Sequence, residues 1–202
     1  PAAKLPVDAE LTVKDRPKYV GRGGLKLEGA LQSFGIDPAG WVCLDVGAST
    51  GGFTDCLLQR GAARVHAIDV GTNQLAWKLR QDERVISQEQ FNARRLTEED
   101  LGERVDLAVM DLSFISLTKV LPAVFGVLGD GGAVVCLIKP QFELSKEEVG
   151  KGGIVREPEL RKKAVEKIRS FVEESEGVAW RGLVESPIQG TDGNVEFLAW
   201  LG

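Results

Sequence analysis

A glycine-rich segment, L-D-V-G-A-S-T-G-G-F, spans residues 44–53, where a buried strand is expected to turn into a helix. In an open α/β sheet this turn is a common ligand site. Gly47 and Gly52 fit the dinucleotide-binding spacing, and Gly52 is expected to permit close helix–strand packing. Ser49, however, takes the middle glycine position, where the backbone must approach a pyrophosphate. The segment also lacks the Lys of a phosphate-binding P-loop. It therefore predicts a ligand without a pyrophosphate.

Two carboxylates near this segment narrow the choice of ligand. Asp45 ends the first predicted strand, where it would oppose a phosphate but would suit an ammonium or a sulfonium. Asp69 follows the second strand, about 20 residues beyond the loop, where an acid accepts hydrogen bonds from a ribose diol. A ribose and a positive charge without a pyrophosphate fit S-adenosylmethionine. A glycine-rich turn with a capping Ser or Thr and a surface Asp is the structural alternative.

The residues predicted to contact S-adenosylmethionine share three places: the glycine loop, the end of the second strand and the ends of later strands. They are Asp45, Gly47, Ala48, Ser49, Thr50, Gly51, Gly52, Phe53, Asp69, Asn92 and Asp111. Asn92 is included because it follows the third strand, where this type of fold contacts adenine.

Four charged residues have types that could move a proton or hold a hydroxyl group. Asp111 and Lys139 come at the carboxyl ends of two apolar strands, the edge that lines the ligand crevice of such a sheet. Charges there are seldom core residues, because Lys and Asp are rarely fully buried unless they are paired. Lys26 follows R-G-G-L in the first predicted helix, and Glu196 lies in the last predicted strand. Taken singly, these two are typical of solvated side chains.

Alternating apolar segments give the elements that must position these residues. Strands are predicted at 41–46, 65–70, 85–87, 105–110, 133–138, 178–185 and 195–201, and helices at 25–34, 53–60, 74–80, 117–128 and 159–174. Near-continuous apolar strands separated by helices indicate a parallel sheet that is covered on both faces. The last two strands have no helix between them and are expected to pair antiparallel. The prediction is an α/β, Rossmann-like methyltransferase fold with a mostly parallel sheet and a C-terminal antiparallel hairpin.

Composition limits the class of protein. A chain of 202 residues with 43% hydrophobic and 27% charged residues fits one domain with short extensions. There is no apolar run of 18 residues, so no membrane span is predicted. Cys43, Cys56 and Cys136 form no C-x-x-C pair and are expected to be buried thiols of a cytoplasmic protein. His66 is the single histidine, which leaves neither a Ser-His-Asp triad nor a histidine metal cluster.

Several blocks together resemble the TlyA family, the FtsJ-type RNA methyltransferases that are also called hemolysin-like proteins. The resemblance covers about residues 19–202. Its blocks are Y-V-G-R-G-G-L-K-L-E (19–28), L-D-V-G-A-S-T-G-G-F-T-D (44–55), M-D-L-S-F-I-S-L (110–117), L-I-K-P-Q-F-E (137–143), G-K-G-G-I-V-R (150–156) and D-G-N-V-E-F-L (192–198).

The resemblance implies a catalytic tetrad of Lys26, Asp111, Lys139 and Glu196, with S-adenosylmethionine as cofactor and a ribose 2′-hydroxyl of ribosomal RNA as target. It also implies an RNA-binding domain ahead of the catalytic one. Residues 1–20 are therefore expected to be a linker and the remnant of that domain, with a short strand at 10–13, and residues 21–202 to be the methyltransferase domain. The net charge of −5 is unfavourable for binding RNA without such a domain.

The tetrad's roles follow from the chemistry of methyl transfer to a hydroxyl, which must be aligned and deprotonated. Lys139 is predicted to act as the base or to steer the hydroxyl, with Asp111 and Glu196 orienting it and Lys26 holding the nucleotide. The basic residues between Lys14 and Lys26 and the loop at 150–156 would contact RNA or form a solvated surface. Two alternatives are a cytolysin, which no apolar span supports, and a non-catalytic RNA-binding module, which the intact glycine loop argues against.

Overall fold

The computed structural model describes residues 17–202, so the predicted strand at 10–13 and the basic residues Lys14 and Arg16 lie outside the described residues. Seven strands form one sheet in the order β3-β2-β1-β4-β5-β7-β6. The strands are β1 (Val42–Val46), β2 (Arg64–Ile68), β3 (Val85–Gln88), β4 (Val105–Met110), β5 (Leu128–Ile138), β6 (Trp180–Glu185) and β7 (Phe197–Leu201). The first five pair in parallel, and β7 runs antiparallel to both β5 and β6. The predicted fold class and C-terminal hairpin are confirmed.

Within residues 17–202, seven helices accompany the strands. They are α1 (Gly23–Phe34), α2 (Gly52–Gln59), α3 (Trp77–Arg80), α4 (Glu98–Leu101), α5 (Leu121–Phe125), α6 (Pro140–Glu143) and α7 (Pro158–Glu173). Two single 3₁₀ turns, at Ala93–Arg95 and Leu117–Lys119, complete the regular structure. No helix within residues 17–202 is long and apolar enough to cross a lipid bilayer.

The two faces of the sheet bury two separate apolar layers, because successive side chains of a strand point to opposite faces. Alternate residues of β1 show this: Cys43 packs with α1 and α2, whereas Leu44 packs with α5 and α7. All three cysteines are buried free thiols, and burial raises the pKa of Cys43 and of Cys136 to about 12. His66 is buried in β2 with its Nε2 atom 3.0 Å from Glu103 Oε1.

The predicted helix at 117–128 is wrong in extent. The structure has a 3₁₀ turn, then a short α5 with a proline in its first turn, and β5 already begins at Leu128. Proline has no N–H for a preceding helical turn, so it starts a new helix instead of extending the 3₁₀ turn. Leu128 pairs with Val105 ahead of an irregularity in the ladder, which lengthens β5 beyond its predicted start at 133.

The order of the strands places the site. After β1, the chain adds β2 and then β3 next to one edge of β1. It then returns, and β4 pairs with the opposite edge of β1. The carboxyl ends of β1 and β4 therefore diverge at a topological switch point, where open α/β sheets bind ligands. Residues that follow β1, β2, β4 and β5 meet at this edge.

Candidate active site

The glycine loop after β1 curls tightly against the end of β4. Gly47 and Gly51 have φ angles of 83° and 95°, which favour glycine. A Cβ atom on Gly47 would lie 2.6 Å from the backbone oxygen of Asp111, so no larger residue fits this approach. Ser49, with φ at 47°, is held by its N–H, which donates to Asp69 Oδ2 at 2.8 Å. Asp69 thus shapes the loop as well as facing the ligand crevice.

Asp45 is fully buried at the end of β1 and is only half satisfied. Its Oδ2 atom accepts hydrogen bonds from the Thr54 N–H at 2.9 Å and from the Thr54 hydroxyl at 2.6 Å. Its Oδ1 atom is buried without a partner in the described part of the chain. Burial away from water raises the pKa of Asp45 to about 7, against the lowering by the Thr54 hydrogen bonds. Asp45 also lines the cavity described below, so its free oxygen is suited to a cationic ligand group.

Gly52 makes its close approach to a helix start and not to a strand, contrary to the prediction. A Cβ atom on Gly52 would lie 3.0 Å from the N atom of Gly24 and 3.3 Å from the Cα atom of Gly23. Gly23 and Gly52 therefore let the N-terminus of α1 pack directly on that of α2, whereas a Cβ atom on Gly24 would meet the side chain of Tyr19. This contact carries Lys26, one turn into α1, to the site.

Tyr19 and Val20 belong to the same packed unit. Tyr19 is buried, and the N–H of Val20 donates to Asp55 Oδ2 at 2.8 Å. Asp55 lies on α2, so the segment ahead of α1 is attached to the helix that starts from the glycine loop.

Lys26 and Glu196 form a buried ion pair. The Lys26 Nζ atom lies 2.5 Å from Glu196 Oε2. Glu196 directly precedes β7 and does not lie within it as predicted. Since its ion pair is with Lys26, the predicted role of Glu196 as an orienting group for Lys139 does not match this geometry. Burying a single charge away from water costs free energy, and here the attraction between the Lys26 and Glu196 charges offsets that cost.

Lys139 and Asp111 form the second ion pair, across the ends of β5 and β4. The Lys139 Nζ atom lies 2.6 Å from Asp111 Oδ1 and donates to the Ser113 hydroxyl at 3.1 Å. The two strands are parallel neighbours, with Met110 opposite Cys136, which brings these two loop residues together. The predicted contact between Lys139 and Asp111 is therefore present in the structure.

All four charged residues line one cavity of about 290 Å³. Most of the predicted loop residues line it as well: Asp45, Gly47, Ala48, Ser49, Thr50, Gly52 and Phe53. Gly51 does not, since the space at its Cα atom is filled by Leu75 and Leu79.

A second cavity of about 360 Å³ adjoins the first along Gly47, Ser49, Asp111 and Ser113. Asp69 and Asn92 line this second cavity, together with the apolar side chains of Phe91, Leu112 and Ile115. The Asn92 Oδ1 atom accepts from the Arg94 N–H at 3.2 Å, so it also starts the 3₁₀ turn at Ala93–Arg95. The first of the joined cavities is the more polar and contains Lys26, Asp111, Lys139 and Glu196. The second is the more apolar and contains the carboxylate of Asp69.

Several residues of the site were not predicted. Thr54 does not line either cavity but fixes one oxygen of Asp45, and Ser113 lines both cavities and accepts from Lys139. Arg22, Gln189 and Thr191 also line the first cavity, and Arg22 donates to the Gln189 backbone oxygen at 2.7 Å. Arg22 belongs to the basic run between Lys14 and Lys26 that was expected to contact RNA or solvent, whereas Gln189 comes to the site only through the fold.

Comparison with known proteins decides the family. The model of the FtsJ-like methyltransferase family matches residues 19–202. The chain belongs to this family. It is 52% identical over 185 residues to the 16S/23S rRNA (cytidine-2'-O)-methyltransferase TlyA of Mycobacterium tuberculosis, covering 91% of this chain and 68% of the relative. The TlyA resemblance and the prediction of a methyltransferase enzyme that uses S-adenosylmethionine are confirmed.

Solved structures agree with this assignment. A protein of Lactococcus lactis described as a hemolysin superimposes with a TM-score of 0.89 at 50% identity, over 92% of this chain and 89% of that one. Fibrillarin of Aeropyrum pernix, solved with natively bound S-adenosyl-L-methionine, has a TM-score of 0.59 at 16% identity, over 87% of this chain and 74% of that one. The second likeness shows that the FtsJ-like chain shares the fold of a methyltransferase, and no more.

Proposed function

We propose that this FtsJ-like chain transfers a methyl group from S-adenosylmethionine to a ribose 2′-hydroxyl of ribosomal RNA, with residues 21–202 as the catalytic unit. The observation that carries the proposal is the meeting of Lys26, Asp111, Lys139 and Glu196 in one cavity beside the glycine loop. The TlyA relative is named as an rRNA (cytidine-2'-O)-methyltransferase, which supports the same substrate class.

The residues of the joined cavities suit the cofactor. The free Oδ1 atom of Asp45 can accept a hydrogen bond from the ammonium group of S-adenosylmethionine. Asp69 keeps lone pairs for a ribose diol, because each of its oxygens accepts one backbone N–H in the structure, from Ser49 and from Gly71. Asn92 and the apolar wall of the second cavity would bind the adenine.

The tetrad then acts on the hydroxyl. When bound, the cofactor supplies an electrophilic methyl carbon on its sulfonium. The hydroxyl oxygen must be aligned with that carbon and must lose its proton. Lys139 lines the first cavity beside Asp111, which lines both cavities, so Lys139 can bind the hydroxyl oxygen through Nζ or, as a neutral amine, accept its proton. Lys26, fixed by Glu196, places a positive charge at the far wall for the nucleotide.

An exposed aromatic residue beside this site favours a nucleic-acid substrate. Phe114 is 91% exposed and has a φ angle of 64°, a conformation that a bulky residue seldom adopts. It lines the second cavity three residues after Asp111. A free phenyl ring next to the catalytic groups can stack on a base, and strained backbone is typical of functional sites.

The test is methylation of ribosomal RNA with S-adenosylmethionine that carries a labelled methyl group. Label should enter the RNA, and the linkage after the labelled nucleotide should resist alkaline hydrolysis, because a 2′-O-methyl group removes the nucleophile for strand cleavage. Label on a base, or none on either ribosomal RNA, would contradict the proposal. Lysis of red cells without any methylation would favour the cytolysin alternative.

A further inference from the structure

A broad groove of about 610 Å³ lies next to the active site and shares Arg94, Phe114 and Ile115 with the second cavity. It is bounded by the exposed ring of Phe114, by Phe142 on α6, and by three cations, Arg94, Lys119 and Lys167. Its floor includes the buried carboxylate of Glu143. We call this surface the basic groove. Its volume is within the range of pockets that hold a nucleotide-sized ligand.

The charge of the basic groove is opposite to that of the chain as a whole. Glu143 is satisfied internally, by the Ser116 hydroxyl at 2.5 Å, the Leu117 N–H at 2.8 Å and the Lys167 Nζ atom at 3.2 Å. Within residues 17–202, Arg94 and Lys119 have no carboxylate within 4.0 Å. Because Lys167 is paired with Glu143, the two cations Arg94 and Lys119 leave a positive surface on a protein of net charge −5. Such a local patch is what a polyanion needs in order to bind an acidic protein.

The aromatic residues connect the basic groove to the reaction centre. The Phe114 and Phe142 rings lie with their centroids 5.0 Å apart and their planes inclined by 50°. The Phe142 centroid is also 5.8 Å from Lys139 Nζ, the atom placed at the reacting hydroxyl. If the ribose of one nucleotide contacts Lys139, the base of the next nucleotide in the same strand would therefore lie beside Phe142.

We propose that the basic groove binds the unpaired nucleotide that flanks the methylated one, which rests on the proposed function. The base of this nucleotide packs against Phe142, and its phosphate is held by Arg94, Lys119 and Lys167. Stacking on an aromatic ring tolerates any base, whereas the phosphate contact requires a chain longer than one nucleotide. The groove thus selects single-stranded RNA of at least two nucleotides over a free nucleoside.

The first experiment compares binding of cytidine monophosphate and of a single-stranded pentaribonucleotide with a central cytidine, at several salt concentrations. The wild-type protein should bind the pentanucleotide more tightly. The double variant Arg94→Ala/Lys119→Ala should lose that preference, and its salt slope should fall by about 0.7, the value for one lost phosphate contact on a single strand. Lys162→Ala/Arg181→Ala removes the same two charges from exposed positions outside the groove and should behave as wild type.

The second experiment tests the ring. Phe142→Leu keeps an apolar side chain but should weaken pentanucleotide binding about tenfold, whereas Phe142→Tyr should retain it. The melting temperature and the cofactor affinity of each variant should match those of the wild type, because loss of a stacking contact with RNA does not change the fold. A drop in either would show that the substitution has damaged the structure.

Two results separate the proposals. If no RNA is methylated by the wild type, the proposed function fails. If the wild type methylates RNA but the groove variants match the Lys162→Ala/Arg181→Ala control in KM and salt slope, the basic groove is not the flanking site. Equal wild-type affinity for the mononucleotide and the pentanucleotide would overturn it too.

Discussion

The two ion pairs of the active site differ in how far water reaches them. The side chains of Lys26 and Glu196 are 9% and 3% exposed, whereas those of Lys139 and Asp111 are 12% and 23% exposed. The first pair is enclosed by closely packed backbone, since a Cβ atom on Gly190 would lie 2.6 Å from Glu196 Oε1. The second pair borders the junction of the two cavities. From this difference we propose that Lys26–Glu196 fixes the cavity wall and that Lys139–Asp111 meets the substrate.

The largest effect is expected at Lys139. Lys139→Ala should lower the rate of methyl transfer to RNA by about two to four orders of magnitude, the usual contribution of a positioned proton-transfer group. Cofactor affinity, measured by titration calorimetry, should stay close to that of wild type. A variant with near-normal turnover would show that the more open pair is not the reacting one.

Lys139→Arg distinguishes the two roles of this residue. Arginine keeps the charge and the hydrogen bond to the hydroxyl but does not lose its proton in proteins. A rate as low as that of Lys139→Ala indicates a base, and a partly retained rate indicates steering of the hydroxyl.

The second-largest effect is a difference between the two ion pairs in what they contribute to the free energy of unfolding. Glu196→Ala leaves Lys26 as a buried, unpaired cation and should lower the free energy of unfolding by about 3–5 kcal/mol. Asp111→Ala should cost less, about 1–2 kcal/mol, because Asp111 is the more exposed partner and Lys139 keeps its hydrogen bond to the Ser113 hydroxyl. Urea denaturation measures both. Equal losses would remove the distinction between a fixed and an open pair.

A double variant provides the control for that comparison. Lys26→Met/Glu196→Leu replaces both charges by apolar groups of similar size and should recover most of the stability that Glu196→Ala loses. It should still methylate RNA poorly, since the proposed nucleotide-binding charge is gone. Full activity in this variant would show that the buried pair is structural only.

The smallest effect concerns Asp45, the buried carboxylate of the cavity, whose pKa folding raises from 3.8 to about 7. An acid with a raised folded pKa binds its proton more tightly when folded, so its contribution to stability is present below pH 4 and is lost as the pH rises through about 7. A bound ammonium needs the ionised form. Between pH 6 and pH 8 cofactor affinity should therefore rise about tenfold relative to the Asp45→Asn variant. Calorimetry at both pH values measures this ratio, and a constant ratio would place the ammonium elsewhere.

Much of the fold could be predicted because its signals are local. The predicted strand at 105–110 has the observed bounds of β4, and the run at 178–201 gave the antiparallel pair β6 and β7. The extent of α5 could not be predicted, because Leu128 joins β5 only by pairing with Val105, far away in sequence. The predicted site residues mostly meet in the two cavities, whereas their assignment to partners was less accurate, since Glu196 pairs with Lys26.

The sequence by itself determined the glycine loop, the carboxylates after β1 and β2, and the charges after β4 and β5, because residue type and position at a strand end already imply a place at the ligand edge. Only the tertiary structure decided which charges pair and which of them water reaches. Those properties depend on contacts such as Lys26 with Glu196, which are 170 residues apart in the chain. Two glycines, Gly23 and Gly52, let α1 approach α2 and so bring Lys26 into the cavity. Spacing in sequence cannot show this, because the distance between two helices is set by the packing of the whole layer.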